Sequence, residues 1–188
     1  MAALSASALT QRATRVRFVA LDVDGVLTDG RLYFGARGEA LKAFDVRDGL
    51  GIRLLFDAGI EVAVLTGRSS RIVAARARDL GIRKVMQGQR DKHAGLRRLL
   101  SDAAVSEREC AYMGDDWPDL PVLTSVGFAA TVADAPEEVK RCVHWVAPSP
   151  GGRGAVRDLA RVLLRAQGHF DALLRSALRP PGLRVTHG

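Results

Sequence analysis

The chain has 188 residues, of which 47% are hydrophobic and 26% are charged; these shares exclude a wholly disordered chain and fit one globular domain. No apolar run reaches the roughly 18 residues of a membrane span, and the first fourteen residues hold no apolar signal segment. Two cysteines, Cys110 and Cys142, are too few for a disulfide framework or a four-thiolate zinc site, so we expect a cytoplasmic protein.

The formal net charge is +7, and it is unevenly distributed along the chain. Residues 151–188 hold seven arginines against two aspartates, whereas the rest of the chain is close to neutral. A basic tail fits either a solvated helix face or a surface for an acidic partner, such as nucleic acid, a membrane or a phosphorylated substrate. Because no zinc spacing or aromatic RNA-binding motif occurs, we expect no nucleic-acid partner, and we expect no membrane partner.

Apolar strands and amphipathic helices alternate along most of the chain. Residues 1–14 show no clear period and predict a flexible leader. The strands are predicted at 16–21, 60–65, 84–87, 110–113, 126–130 and 143–146, and the helices at 49–58, 70–80, 91–101, 117–124, 135–141 and 153–167. This alternation predicts an α/β fold, a doubly wound and mainly parallel Rossmann-like sheet, in one domain over 15–168 with a tail at 169–188. Ligands of such sheets bind at the carboxyl ends of the strands.

One segment interrupts this alternation between the first strand and the first of these helices. Two β-prone runs, Arg31–Phe34 and Glu39–Phe44, flank the glycine-bounded turn Gly35–Gly38. The pattern predicts a β-hairpin at about 30–44. Its place in the chain puts it over the ligand edge of the sheet, where it can act as a flap.

Carboxylates follow two of the predicted strands. Asp22 and Asp24 end the first strand, and Asp115, Asp116 and Asp119 follow the fourth. The first pair alone fits an Asp-Gly turn with a helix cap equally well. Together the two clusters meet at one sheet edge, where like charges repel unless a cation lies among them. Oxygen ligands of this kind favour Mg²⁺.

Two more polar residues are predicted at the same edge. Thr66 ends the second strand before a helix N-terminus, a combination that suits a phosphate group. Lys92 opens a helix after the third strand and is one of only four lysines. Taken alone, Thr66 fits the role of a helix cap as well. Lys92, taken alone, also fits a solvated surface charge.

The ordered set Asp-x-Asp, Thr, Lys and Gly-Asp-Asp with a later Asp resembles the haloacid dehalogenase superfamily over about residues 16–165. The resemblance implies that Asp22 is the nucleophile that becomes an aspartyl phosphate and that Asp24 is the general acid and base. It also implies that Mg²⁺ is bound by Asp22, Asp115 and the backbone carbonyl of Asp24. Thr66 and Lys92 would hold the phosphoryl oxygens. A carboxylate is a weak nucleophile, so such positioning and neutralisation are needed.

The finer motifs resemble a capless group of that superfamily, the 3-deoxy-D-manno-octulosonate 8-phosphate phosphatases of lipopolysaccharide synthesis. The matching segments are 24–30, 44–53, 66–68, 114–119 and the glycine-rich 151–158, where Asp158 replaces the usual Glu. The resemblance implies a homotetramer whose hairpins form a small barrel and whose tails reach a neighbouring subunit. It implies that the sugar phosphate is bound by Asp24, Asp45, Val46, Arg47, Asp48, Gly49, Arg53, Arg68, Arg76 and Lys92. Arginines suit a sugar acid because a guanidinium binds a carboxylate in bidentate fashion.

Several alternatives remain open at this level. Arg53 and Arg76 lie within predicted helices and are equally surface or interface residues. The same architecture serves a related phosphatase of a nine-carbon sugar-acid 9-phosphate. A catalytically idle oligomerisation module is a third possibility, although every catalytic position is present in this chain.

Overall fold

Six parallel strands form the centre of the structure, a computed structural model that describes residues 5–178. The strands of this sheet and of a separate two-stranded hairpin, β2 and β3, are in chain order β1 (Phe18–Leu21), β2 (Tyr33–Gly35), β3 (Gly38–Leu41), β4 (Glu61–Leu65), β5 (Lys84–Met86), β6 (Cys110–Met113), β7 (Phe128–Thr131) and β8 (Trp145–Val146). The large sheet has the order β5-β4-β1-β6-β7-β8, and every neighbouring pair is parallel. The predicted doubly wound sheet is confirmed.

The strand order places a topological switch point beside the central strand. From β1 the chain moves outward to β4 and β5, then returns to β6 on the other side of β1 and continues to β7 and β8. Phe18 lies opposite Cys110, and Leu21 lies opposite Met113, so β1 and β6 end at the same level. Ligands of open parallel sheets bind at such a crevice.

Helices cover both faces of the sheet, which is why its central strands are apolar along their whole length. All four residues of β1, β6 and β7 are buried. The helices are α1 (Ala6–Ala13), α2 (Val46–Asp57), α3 (Arg71–Leu80), α4 (Lys92–Ala103), α5 (Leu120–Leu123), α6 (Glu137–Lys140), α7 (Ala155–Ala166) and α8 (Phe170–Ala177). None of the helices in the described residues is long and apolar enough to cross a membrane.

The N-terminal segment differs from the expected flexible leader, since Ser5 caps a helix at Ala6–Ala13. The Gln167 amide donates to the carbonyls of Ala13 and Val16 at 3.0 and 2.8 Å, and the Arg12 guanidinium donates to the Gly127 carbonyl at 2.9 Å. Only Ala13 of this helix is buried, so no apolar period is visible in its sequence. Polar contacts with distant residues attach α1 to the domain.

Two other segments differ in detail from the predicted elements. The predicted helix at 117–124 is a 3₁₀ turn, Trp117–Asp119, that leads into the four-residue α5. The predicted tail at 169–188 begins with helix α8, where the Arg165 guanidinium lies 4.7 Å from the centre of the Phe170 ring. Residues 1–4 of the leader and 179–188 of the tail lie outside the described part of the chain.

The predicted hairpin is present as an antiparallel pair of short strands, β2 and β3. It occupies the connection between β1 and α2. Four of its large apolar side chains are exposed: Leu32, Tyr33, Phe34 and Leu41.

Helices α2 and α7 pack closely, and a buried carboxylate joins them. A β-carbon added to Gly51 of α2 would lie 3.0 Å from the Arg157 Cα, so any larger residue would push the two helices slightly apart. The Asp48 carboxylate accepts the backbone N–H groups of Gly154 and Arg157 at 3.1 and 2.9 Å. Gly154 has no side chain with which to cap α7, so Asp48 supplies the cap from another element.

We therefore expect Asp48→Ala to lower the free energy of unfolding by about 1–3 kcal/mol, because two buried N–H groups lose their acceptor. Asp57→Ala, the same change at an exposed position of α2, is the matched control and should cost much less. Urea unfolding followed by circular dichroism measures both changes. Equal losses in the two variants would contradict the capping role.

Candidate active site

The loop that carries Asp22 and Asp24 leaves the sheet at the switch point between β1 and β6. Asp22 follows β1 directly, and its N–H donates to the Met113 carbonyl at 3.0 Å, which extends the pairing with β6. Asp115 follows β6 one residue after Gly114. A β-carbon on Gly25, whose φ is +90°, would lie 2.0 Å from Asp115 Oδ2. Gly25 therefore allows the two loops to meet.

Three carboxylates converge at this point. Asp22, Asp115 and Asp119 each offer one oxygen, and these oxygens all lie within 4.8 Å of one another. Burial, followed by the charge of Asp119, raises the pKa of Asp22 to about 6. Burial, followed by the charges of Asp22 and Asp119, raises the pKa of Asp115 to about 8. The cluster therefore resists full ionisation unless cations neutralise it.

Lys92 provides one of these cations from the first turn of α4. Its Nζ lies 3.0 Å from Asp22 Oδ2 and 2.6 Å from Asp119 Oδ1, and its side chain is buried. Burial opposes the charge of Lys92, but the carboxylates of Asp22 and Asp119 outweigh it and raise the pKa of the ammonium. With Asp115 also ionised, three carboxylates and one ammonium carry two net negative charges.

Both carboxylate oxygens of Asp119 already accept hydrogen bonds. Besides Lys92, its Oδ1 accepts the Tyr112 hydroxyl, and its Oδ2 accepts the N–H groups of Asp115 and Asp116 at 3.2 and 3.3 Å. Asp119 therefore holds Lys92 and the Asp115 loop in place.

Asp22 has one carboxylate oxygen that remains available to a ligand. Its Oδ1 is buried and has no hydrogen-bond partner among the described residues, an arrangement that is costly without a ligand. An unpaired buried carboxylate oxygen beside Asp115, with two negative charges to balance, fits a divalent cation with oxygen ligands. The donor set therefore fits Mg²⁺, with Asp22 and Asp115 as the side-chain ligands.

Asp24 lies in a separate, electrically balanced group. Its Oδ1 contacts the ammonium of Lys42, and its Oδ2 lies 3.6 Å from the Arg68 Nε. Lys42 also contacts Glu39 Oε1 at 3.1 Å, and Glu39 accepts the Ser70 hydroxyl through its other oxygen. This group thus contains two carboxylates, Asp24 and Glu39, and two cations, Lys42 and Arg68.

The expected phosphate residue Thr66 is buried at the end of β4. Its N–H donates to the Met86 carbonyl at 2.9 Å, and its carbonyl accepts the Gln89 N–H at 3.1 Å. These bonds fix the backbone of Thr66 at the edge where Asp22 follows the neighbouring strand β1.

The segment expected to bind the sugar begins α2. Asp45 caps the helix by accepting the Arg47 N–H at 2.7 Å, and it pairs with the Arg47 guanidinium at 2.7 Å. Val46 is exposed, whereas the Asp48 side chain caps α7. The Asp48 carboxylate is thus bound to the N-terminus of α7, and its contact with a substrate remains a prediction.

Arg53 and Arg76 line one pocket of about 180 Å³ between α2 and α3. Arg53 is exposed. Arg76 pairs with Asp79 at 2.7 Å, and a β-carbon on Gly49 would lie 2.8 Å from its Nη2. The Arg76 Nε is buried without a partner among the described residues. The pocket thus presents cationic groups beside the start of α2.

The glycine-rich loop before α7 packs directly on the loop that carries Asp22 and Asp24. The Gly152 N–H donates to the Val26 carbonyl at 2.9 Å, and a β-carbon on Gly151 would lie 1.8 Å from the Gly25 carbonyl oxygen. The Arg47 guanidinium donates to the Arg153 carbonyl at 2.7 Å. The loop therefore supports the backbone that bears Asp24.

The sequence analysis missed Lys42 and Glu39 as site residues. One signal was available, since Lys42 is, like Lys92, one of only four lysines. The hairpin was expected over the ligand edge, but its sequence did not show which of its side chains would meet Asp24.

We expect Gly25→Ala to weaken Mg²⁺ binding by at least about tenfold, because the new methyl group displaces the Asp115 carboxylate. Gly59→Ala is the matched control, since Gly59 has a φ of +77° but no atom within 4 Å of its added β-carbon. Both variants carry backbone strain, but only Gly25→Ala also displaces Asp115, the proposed metal ligand. Isothermal titration with MgCl₂ measures the difference, and equal affinities in the two variants would disprove it.

Comparisons with known proteins identify the family. A model of the haloacid dehalogenase-like hydrolases matches residues 77–157. A 3-deoxy-D-manno-octulosonate 8-phosphate phosphatase from Haemophilus influenzae is 47% identical over 160 residues, which cover 85% of this chain and 89% of the relative.

Solved structures agree with this relationship. The crystal structure of the Yersinia pestis protein of that name matches with a TM-score of 0.86 and 43% identity, covering 89% of this chain and 90% of that one. The Moraxella catarrhalis protein was solved with a magnesium ion, a phosphate ion and KDO (3-deoxy-D-manno-octulosonate), and it matches with a TM-score of 0.89 and 38% identity. This match covers 92% of this chain and 99% of that one. The chain therefore belongs to the haloacid dehalogenase-like hydrolases and, within them, to the 3-deoxy-D-manno-octulosonate 8-phosphate phosphatases, which are phosphoric monoester hydrolases.

Proposed function

We propose that this protein hydrolyses 3-deoxy-D-manno-octulosonate 8-phosphate to 3-deoxy-D-manno-octulosonate (KDO) and phosphate, with Mg²⁺ as cofactor, in lipopolysaccharide synthesis in the cytoplasm. The observation that carries this proposal is the unpaired buried oxygen of Asp22, beside Asp115 and Lys92 at the switch point. The names of the relatives supply the substrate.

The proposed metal ligands are the carboxylates of Asp22 and Asp115 and the backbone carbonyl of Asp24. When bound, Mg²⁺ neutralises the carboxylates and the phosphoryl oxygens and so lets anionic groups approach each other. The magnesium ion in the Moraxella catarrhalis structure supports this choice of metal. Asp119 and Lys92 keep the protein side of the site in position through their ion pair.

The proposed reaction has two steps. In the first, the Asp22 carboxylate forms a bond to phosphorus while the bond to the sugar oxygen breaks, and Asp24 gives its proton to that oxygen. In the second, Asp24 takes a proton from water, the water oxygen bonds to phosphorus, and the Asp22 carboxylate departs. Thr66 and Lys92 hold the phosphoryl oxygens.

Cationic groups around the site favour a doubly acidic substrate. Arg68 lies beside Asp24, with nearly half of its side chain exposed and able to contact a ligand. Arg53 and Arg76 line the pocket next to Val46 and Gly49. We propose that the sugar carboxylate is bound among these arginines and the segment 45–49, because guanidinium groups pair well with carboxylates.

Two alternatives have different consequences. A nine-carbon sugar-acid 9-phosphate offers the same carboxylate and phosphate, so comparison of turnover must separate the two substrates. An idle oligomerisation module predicts no turnover at all. The complete set of Asp22, Asp24, Lys92 and Asp115 favours an enzyme.

We further propose a homotetramer in which the hairpins pack together and the tails contact neighbouring subunits. The exposed apolar residues of the hairpin, Leu32, Tyr33, Phe34 and Leu41, support this proposal. A monomer rarely exposes so many large apolar groups on one small element.

The substrate proposal is tested by phosphate release from a panel that includes KDO 8-phosphate and the nine-carbon 9-phosphate. We expect KDO 8-phosphate to have the highest kcat/KM, EDTA to abolish turnover and MgCl₂ to restore it. Asp22→Asn should lower kcat by at least about 10³-fold, because the amide cannot form the phosphoryl intermediate. Glu137→Gln, at an exposed pair far along the chain, is the control. A preference for the nine-carbon substrate, or activity in Asp22→Asn, would contradict the proposal.

The oligomer proposal is tested by sedimentation velocity. The wild-type protein should sediment with the mass of four chains, and Phe34→Glu in the hairpin should shift it to smaller species, because it buries a charge in the interface. Val146→Glu, an exposed apolar position on the edge strand β8, should leave the mass unchanged. A wild-type monomer would disprove the tetramer.

A further inference from the structure

We propose that Lys42 is a positioning residue that holds the Asp24 carboxylate by one oxygen and leaves the other oxygen directed to the leaving group. This inference rests on the proposed function, since it assigns a partner to the proposed general acid and base. It gives the hairpin a part in the chemistry as well as in the fold.

The contacts of Lys42 differ from those of a surface lysine. Lys42 follows β3 directly, and its side chain is only 1% exposed. Its ammonium lies between Asp24 Oδ1 and Glu39 Oε1. Because a buried ammonium must be paired, these two carboxylates determine where the Lys42 side chain ends.

Glu39 connects this pair to the body of the domain. Its second oxygen accepts the hydroxyl of Ser70, whose side chain also caps α3 by accepting the Val73 N–H at 3.3 Å. The Ser70 N–H in turn donates to the Gln87 side chain at 2.6 Å. The chain of contacts from Asp24 through Lys42 and Glu39 therefore ends on a helix terminus, which is a rigid support.

The two oxygens of Asp24 have unequal partners. The partner of Oδ1 is the buried Lys42, whereas the cation near Oδ2 is the Arg68 guanidinium, 3.6 Å away on a side chain that is 45% exposed. Arg68 is free to turn towards a substrate carboxylate, and Oδ2 then faces the leaving oxygen. Lys42 thus supplies the fixed contact, and Arg68 the exchangeable one.

Proton transfer makes this orientation important. A general acid must reach within about 2.6–3.2 Å of the atom that it protonates, and a displacement of about 1 Å can cost roughly 10²-fold in rate. Without Lys42, Asp24 loses its fixed partner, and its carboxylate can rotate towards Arg68. The effect should be greatest for substrates whose leaving group needs a proton.

The test compares two aryl phosphates in the full-length Lys42→Met variant. Phenolate is a poor leaving group without a proton, since phenol resembles the tyrosine side chain with a pKa of about 10; p-nitrophenolate leaves readily. We expect kcat/KM for phenyl phosphate to fall by about 10- to 100-fold and that for p-nitrophenyl phosphate by no more than about threefold. The ratio kcat/KM depends only on the steps up to and including departure of the alcohol. Later hydrolysis of the phosphoryl intermediate therefore does not affect it.

Three further variants separate positioning from structural damage. Lys42→Arg should recover part of the phenyl phosphate activity, because it restores a cation at Asp24. Glu39→Gln should give a smaller selective loss, because Lys42 keeps its contact with Asp24. Lys140→Met, which breaks the surface pair with Glu137, should change neither substrate.

The outcomes are distinct. Equal losses on both aryl phosphates, or no rescue by Lys42→Arg in a folded variant, would overturn the positioning role. If Lys42→Met does not fold, the selective loss in Glu39→Gln decides the question. A wild-type enzyme that cleaves aryl phosphates but not KDO 8-phosphate would overturn the proposed substrate and leave the assignment of Lys42 standing.

Discussion

Repulsion among buried carboxylates at the end of β1 and β6 is the constraint on which the rest of the site depends. Asp22, Asp115 and Asp119 lie within 4.8 Å of one another, and Lys92 alone neutralises only part of their charge. The protein brings them together with two backbone N–H groups on Asp119 and a glycine at position 25 that allows Asp115 to approach. The remaining negative charge is what selects a divalent cation and, through it, a phosphorylated substrate.

The second charged group of the site follows a different principle. Around Asp24, the carboxylates and cations are equal in number, so this group needs no metal to be stable. Two of its four side chains, Lys42 and Glu39, come from the hairpin, an element that also exposes four large apolar side chains. Asp22, which lies in the cluster that needs a cation, and Asp24, which has cations of its own, are thus two residues apart in one loop.

The parts of the fold that the sequence predicted correctly are those whose signal is local. Buried parallel strands appear as continuous apolar runs, and Cys110–Met113 was predicted with the boundaries that the structure has. The helix at Ala6–Ala13 was missed because polar contacts with Gln167 and Gly127 attach it to the domain. Lys42 was missed for a similar reason, because the pairing of the hairpin strands does not determine which carboxylate a residue just after β3 meets.

The sequence by itself determined which groups reach one sheet edge: Asp22, Asp24, Thr66, Lys92 and Asp115 each follow an apolar run or begin a helix, in an order that resembles the phosphotransferases of the haloacid dehalogenase superfamily. Only the tertiary structure decided which atoms are available. It occupied both oxygens of Asp119, left Asp22 Oδ1 unpaired and turned Asp48 onto the start of α7. The physical reason is that residue types and their spacing fix which groups reach an edge, whereas their pairing depends on contacts between segments that are distant in the chain.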